Sequence, residues 1–347
     1  MLAQALSAFE LDLDFDMQLM QPGQSLPELT GRVINAVTGF INENSPDAIL
    51  VQGDTTTVLA GAMAAAMAKV PIGHVEAGLR TYDMNHPFPE EMNRRLVSPL
   101  AKWHFVPTEE SRQNLLSERI DPSTIHVTGN SVIDSLLWMR EKVAARTESS
   151  VDSAARLGMS KEFASKYFGE HASAKSARYV LVTGHRRESF GGGFEDICHA
   201  LNELAKRYPD VGILYPVHLN PQVREPVNRL LSDNPRICLI EPAGYEDFVW
   251  LMDRCHFLLS DSGGVQEEAP SLGKPVLVMR ETTERPEGVT AGTCRLVGTD
   301  RDKIVREASL LLDDPAEYQL RSQLKNPYGD GNTAQRICEI LERDLCS

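Results

Sequence analysis

The chain has 347 residues, 42% of them hydrophobic, and a formal net charge of -14. That is long enough for two domains with proper cores, and ordinary for a globular rather than a disordered protein. The acidic balance excludes a nucleic-acid partner held by general electrostatics, so an anionic ligand must be gripped by a few local arginines, histidines and helix ends.

Six cysteines (Cys198, Cys238, Cys255, Cys294, Cys338 and Cys346) lack C-x-x-C spacing, and a reducing cytoplasm is the expected setting. The longest weakly polar run, Val58 to Ala68, is too short to span a bilayer, and no signal-peptide pattern opens the chain. A soluble protein without a membrane partner is expected.

In chain order, Met1 to Phe9 reads as the end of a helix and Leu11 to Gln21 as irregular. Ser25 with Glu28 makes a capping box, after which Leu26, Leu29, Val33, Val37, Phe40 and Ile41 share one helical face. Ala48 to Gln52 reads as a buried strand, G-D-T-T-T opens a small-residue helix from Val58 to Lys69, and Pro71 to Val75 is the next strand. Trp103 to Val106, a helix begun by Thr108, and Ile125 to Thr128 continue the alternation, which argues a parallel, doubly wound sheet. The polar segment Thr147 to Arg178 shows weak patterning and is expected to lie between two cores.

The alternation then restarts. Tyr179 to Thr183, Val211 to Val217, Ile237 to Ile240, Phe257 to Ser260, Pro275 to Met279 and Cys294 to Val297 read as six strands with helices between. The first half yields about four strands and is short of an edge. After the break at Pro327, Gly329 and Gly331, Thr333 begins a final amphipathic helix through Ile337, Ile340 and Leu341.

The expected fold class is therefore α/β, with two Rossmann-like, doubly wound domains facing across a cleft. The expected division is an N-terminal domain over residues 1–130, with the helix at 332–347 packing back on it, and a second domain over residues 131–331. Ligands in such sheets bind outside the carboxyl ends of the strands, which puts the catalytic site between the domains.

Polar motifs fall at those ends. From Leu258 to Glu287 the chain reads as a βαβ unit with a glycine pair at its first turn. Gly263 and Gly264 let backbone N–H groups approach an anion, while Ser262 is placed to cap the helix or to donate to a phosphate oxygen. Glu268, one turn deeper, can accept from both hydroxyls of a ribose, and Arg285 can supply charge to a diphosphate. G-x-G-x-x-G and G-x-x-x-x-G-K-[ST] are both absent.

Three carboxylates mark the first half. Asp54 follows one strand in G-D-T-T-T, Glu76 follows the next in H-V-E-A-G-L-R, and Glu90 starts a helix in H-P-F-P-E-E-M-N-R. Arg94, four residues after Glu90, can orient that carboxylate. Asp54 also fits a helix N-cap and Glu90 a helix-start charge. Clustered at a cleft, such carboxylates raise one another's pKa and serve as acids and bases.

His185, in T-G-H-R-R-E-S-F, suits a diphosphate or a departing phosphate oxygen, and His218, in Y-P-V-H-L-N-P, sits one strand later. His74, His86, His104, His126, His171, His199 and His256 lack metal-ligand spacing, so no metal and no cofactor is assigned.

With these motifs, together with S-D-S-G-G-V-Q-E-E-A-P-S-L-G-K-P and T-T-E-R-P-E, the chain closely resembles the non-hydrolysing UDP-N-acetylglucosamine 2-epimerases. The resemblance implies a GT-B-like fold, a homodimer, and interconversion of UDP-GlcNAc with UDP-ManNAc through 2-acetamidoglucal. It implies that Asp54, Glu76, Glu90 and Arg94 form the sugar-side catalytic group and that His185 serves the pyrophosphate. It further implies a diphosphate cradle at Ser262, Gly263 and Gly264, a ribose acceptor in Glu268, a diphosphate contact in Arg285, and part of a uracil pocket in Phe248.

Gln21, Glu91, Arg187 and His218 resemble parts of a neighbouring activator site. Members of the family begin with a strand running into a G-T-R-P-E loop, which this chain starts beyond, so the resemblance implies a first domain truncated at its N-terminus and a chain that aggregates or binds UDP weakly. A GT-B glycosyltransferase, or a nucleotide-sugar binder without turnover, shares the nucleotide motifs.

Overall fold

The computed structural model describes residues 2–169 and 178–346; His171 lies outside them. Ten strands are present among the described residues: β1 (Ile49–Gln52), β2 (Ile72–Val75), β3 (Trp103–Val106), β4 (Ile125–Val127), β5 (Tyr179–Thr183), β6 (Gly212–Pro216), β7 (Ile237–Ile240), β8 (Phe257–Ser260), β9 (Val276–Val278) and β10 (Cys294–Leu296). They form two parallel sheets in two compact units, an α/β architecture of two Rossmann-like, GT-B-like domains. One unit is Leu11–Asp134 with Tyr328–Ser347, and the other is Met1–Glu10 with Ser135–Pro327. Among the described residues no helix is long and apolar enough to cross a membrane.

In the first unit the sheet runs β1-β2-β3-β4, all parallel, with Gln52 opposite Val75 and Val75 opposite Phe105. Against one face pack the helices Leu26–Asn44 and Thr56–Met67, through Ile41, Val58, Leu59, Ala62 and Ala65. The capping box of Ser25 and Glu28 starts the first of these, with both reciprocal hydrogen bonds formed.

A second cluster joins Val75, Trp103 and Phe105 to Ile337, Ile340 and Leu341 of the helix Thr333–Leu345. The Trp103 indole N–H donates to Asp344 at 2.7 Å, satisfying a donor that burial of the ring would otherwise strand. β1 stands at an edge of its sheet, with Leu50 49% exposed.

In the second unit the order is β10-β9-β8-β5-β6-β7. Counted from β5 as first, this is the 3-2-1-4-5-6 winding, and its direction reverses between β5 and β8. Thr183 and Ser260 lie opposite each other at the carboxyl ends of that pair. Apolar clusters cover both faces, one built on the helix Gly192–Arg207 and the other on the helix Tyr245–Arg254.

Two expectations need correction. Residues 1–10 group with the second unit rather than the first, because Phe9 packs its ring on Trp138 and Tyr245 (centroids 5.3 and 5.8 Å) and Lys142 pairs with Glu10. The described part of Thr147 to Arg178 does not lie outside a core. It forms the helices Ser150–Arg156 and Lys161–Phe168, which place Ala154, Phe163, Ala164, Tyr167 and Phe168 in the second unit's apolar cluster.

Candidate active site

At the β5–β8 reversal two loops meet. Asp261 follows β8 and is buried at 1% exposure, and its Oδ2 accepts the backbone N–H groups of His185 and Arg186 at 2.7 and 2.8 Å. His185 Nδ1 lies 3.1 Å from Asp261 Oδ1. Burial pushes the Asp261 carboxyl up, but hydrogen bonds from the His185 side chain and from both backbone amides outweigh it and hold the group below the usual carboxylate range. One strand end earlier, the hydroxyls of Thr183 and Ser260 share a 2.7 Å hydrogen bond.

Beyond Asp261, the helix Gly263–Glu268 begins at Ser262, whose side chain makes no capping hydrogen bond. Neither Gly263 nor Gly264 has a left-handed φ, and a Cβ on Gly263 would meet nothing within 4 Å. Backbone geometry and internal packing therefore give no reason for glycine here. The turn is bare backbone, the kind of surface that an anion can approach closely.

Deeper in the same helix, Glu267 and Glu268 are buried. The Tyr245 hydroxyl donates to Glu268 Oε1 at 3.1 Å, and burial pushes the Glu268 carboxyl up to about 7. Glu267, likewise raised by burial, pairs with Arg285. Arg285, expected as a diphosphate contact, thus has a carboxylate partner on the helix Gly263–Glu268. The Thr283 hydroxyl donates to Gln266 Oε1 at 2.7 Å and ties the loop after β9 to that helix.

In the first unit, Asp54 follows β1 but does not cap the next helix. Thr55 does, accepting from Val58 N. Asp54 Oδ2 instead lies 3.5 Å from Arg94 Nη2, and its carbonyl accepts from Asn93. Arg94 Nε lies 3.3 Å from Glu91 Oε2. The expected Arg94–Glu90 carboxylate pair is absent, because the helix Glu90–Val97 turns the guanidinium to Glu91 and Asp54 and meets Glu90 only at its carbonyl, 3.4 Å away.

Glu76 stands in the left-handed region at φ 62, a conformation that costs a residue with a side chain roughly 1 kcal/mol or more. Its carboxylate reaches back over Gly53, where an added Cβ would sit 3.7 Å from Oε2. Asp54, Glu76 and Arg94 are thereby gathered around the strand ends of one sheet, and Glu90 stands at the start of the helix that carries Arg94.

The remaining candidates divide. Glu91 has no exposed surface, and its carboxylate accepts the Thr81 and Tyr82 amides at 3.0 and 3.1 Å besides facing Arg94, which gives it the task of fixing that loop. Gln21 is exposed and accepts from Arg32. Arg187 is exposed, and the His218 ring stacks on His185 with centroids 5.6 Å apart. Phe248 is half-buried against the core cluster of the helix Tyr245–Arg254. Among the described residues no group of three or more His, Cys, Asp or Glu is placed to hold a metal.

Asp261 and Tyr245 escaped the sequence reading. Asp261 had a signal, an acidic residue directly after an apolar strand that ends beside a glycine pair. Tyr245 had none.

Two Rossmann-like parallel sheets with their polar residues at strand ends define an α/β protein of the GT-B-like class. The family model described as UDP-N-acetylglucosamine 2-epimerase matches residues 1–342. The UDP-N-acetylglucosamine 2-epimerase of Escherichia coli (strain K12) is 53% identical over 347 residues, covering 100% of this chain and 89% of that one. The Salmonella typhimurium protein of the same description is 52% identical over 342 residues, covering 99% and 88%.

Among solved structures, the UDP-GlcNAc 2-epimerase from Neisseria meningitidis bound to UDP-GlcNAc superposes with a TM-score of 0.84 at 46% identity, covering 99% of this chain and 88% of that one. The chain belongs to the UDP-N-acetylglucosamine 2-epimerase family, and with it to the enzymes.

Proposed function

We propose that the chain interconverts UDP-GlcNAc and UDP-ManNAc. The carrying observation is the uncovered turn at Ser262–Gly264 above a buried Glu268, in a chain 46% identical to a relative solved with UDP-GlcNAc bound. In this reading the turn receives the diphosphate, Glu268 the ribose, Phe248 borders the uracil and Arg285 supports the diphosphate. Asp54, Glu76, Glu90 and Arg94 serve the sugar.

The chemistry needs several carboxylates. The C2 proton of UDP-GlcNAc has no adjacent carbonyl to acidify it, but departure of UDP builds positive character at C1 and eases its loss. In the α-glucosamine derivative the C2 hydrogen and the C1 oxygen are trans-diaxial, so a carboxylate takes the proton as the C1–O pair leaves with UDP. His185 stabilises the departing phosphate oxygen. The product is 2-acetamidoglucal. Protonation at C2 from the other ring face, with syn re-addition of UDP at C1, gives the manno product, and one carboxylate cannot readily serve both faces.

The reading extends to a homodimer in the cytoplasm that supplies ManNAc units for a bacterial surface polysaccharide. Support for these finer points comes from the family resemblance and, for the compartment, from six cysteines in thiol form. Incubation with UDP-GlcNAc in deuterated water tests the central claim, because epimerisation through the glycal places deuterium at C2. Transfer to an acceptor without C2 exchange would favour a glycosyltransferase, and UDP binding without exchange a binder.

A further inference from the structure

A carboxylate with 1% exposure costs several kcal/mol in desolvation unless its surroundings repay it. At Asp261 one oxygen is fully engaged by two backbone amides. The other is buried and faces His185 Nδ1 at 3.1 Å, with no further hydrogen-bond partner among the described residues. A neutral asparagine would satisfy one amide pair as well, so the fold alone does not call for a charge at this position. The imidazole does. An anion beside Nδ1 fixes the ring, directs the proton of the neutral tautomer to Nδ1 and leaves Nε2 pointing away.

Asp261 also directly precedes Ser262, so the same side chain ties the His185 loop to the start of the helix Gly263–Glu268. We infer that Asp261 is a positioning residue: it orients His185, Nε2 outward, against the oxygen of a diphosphate seated on the Ser262–Gly264 turn. This rests on the reading of His185 as the group that serves the leaving diphosphate.

A double-mutant cycle on the full chain tests it, comparing wild type, Asp261→Asn, His185→Ala and the double variant for kcat on UDP-GlcNAc and for UDP affinity by calorimetry. The expected result is a kcat loss of roughly tenfold to a hundredfold for Asp261→Asn with UDP affinity within about threefold. With His185 already alanine, Asp261→Asn should lower kcat by no more than about twofold. Additive losses in the cycle, or an unchanged kcat in Asp261→Asn, would overturn the positioning role. Wild-type kcat in His185→Ala would remove the reading of His185 itself and the inference with it.

Should the asparagine variant not fold, nitrogen-15 spectra of wild-type His185 at about pH 8.5, where a histidine is ordinarily neutral, still decide. A proton on Nδ1 supports the role, and a proton on Nε2 refutes it.

Discussion

Tyr245 donates its hydroxyl to Glu268 across 3.1 Å, in surroundings that leave the glutamate 7% exposed. Burial dominates and lifts the Glu268 carboxyl to about 7, with the Tyr245 bond pulling it down and Glu267 pushing it further up. Near neutral pH the free protein thus holds much of Glu268 protonated, whereas a ribose that donates hydroxyls favours the carboxylate. UDP binding at pH near 7 is expected to release a proton. Calorimetry in buffers of different ionisation enthalpy reads this directly. Glu268→Gln should abolish the buffer dependence and weaken UDP by roughly tenfold to a hundredfold, the worth of one or two charge-assisted hydrogen bonds. A buffer-independent enthalpy for the wild type would rule out the ribose role.

The acidic group of the first unit separates stability from turnover. Removing Arg94 takes the ion-pair partner from a glutamate with no exposed surface, so Arg94→Ala should lower unfolding stability by about 3–5 kcal/mol in urea titrations. Glu90 is half-buried and has no part in that ion pair. Glu90→Gln should keep stability within about 0.5 kcal/mol and UDP affinity within about threefold, while kcat falls roughly a hundredfold or more. Comparable losses of UDP affinity in Glu90→Gln and Glu268→Gln would erase the division between sugar and nucleotide residues.

Two glycines, one from a motif in each unit, should behave oppositely. Gly78 has φ +85, and a Cβ there would come within 2.4 Å of the Ser111 carbonyl, so its glycine is demanded by the fold. Gly263 has open space where a Cβ would go. Gly78→Ala is expected to destabilise by about 2–4 kcal/mol through strain and displaced backbone. Gly263→Ala should fold normally, with a melting temperature near wild type, and lose UDP affinity. An unaltered UDP affinity in Gly263→Ala would remove the turn from the nucleotide site.

These contrasts also mark how far the sequence is legible. All ten strands were readable because each is a short apolar run closed by turn residues, and the carboxyl-end rule then put Asp54, Glu76, His185 and Ser262 at functional edges. Partner choice was not readable. Helical spacing offered Glu90 to Arg94, but the fold brought Asp54 from another element and left Glu91 as the nearer carboxylate. Ser150–Arg156 and Lys161–Phe168 span only two turns each, too few for a periodic stripe to emerge, so burial of Phe163 and Tyr167 appeared only with the sheet in place. Residues 1–10 followed Phe9 to the rings of Trp138 and Tyr245, contacts more than a hundred residues away in the chain.

The second unit carries two opposed pH dependences. His256 is pushed down to about 4, chiefly by burial, while its ring stacks on Tyr318 at 4.0 Å and Nε2 lies 3.3 Å from the Leu311 carbonyl. Its folded pKa is below the unfolded value near 6.5, so its contribution is present above that value and is lost as pH falls through about 4. Glu268 runs the other way. Its folded pKa of about 7 exceeds the unfolded value, so its contribution is present at low pH and is lost as pH rises through about 7. Between roughly pH 7.5 and pH 4.5 each is worth about 2–3 kcal/mol, and the two nearly cancel in the wild type. Single variants uncover them. His256→Phe, which keeps the stack but cannot titrate, should gain stability relative to wild type as the pH is lowered, and Glu268→Gln should lose it. Urea unfolding followed across that range would show the two variants diverging in opposite directions, and parallel curves would mean that neither group changes its protonation on folding.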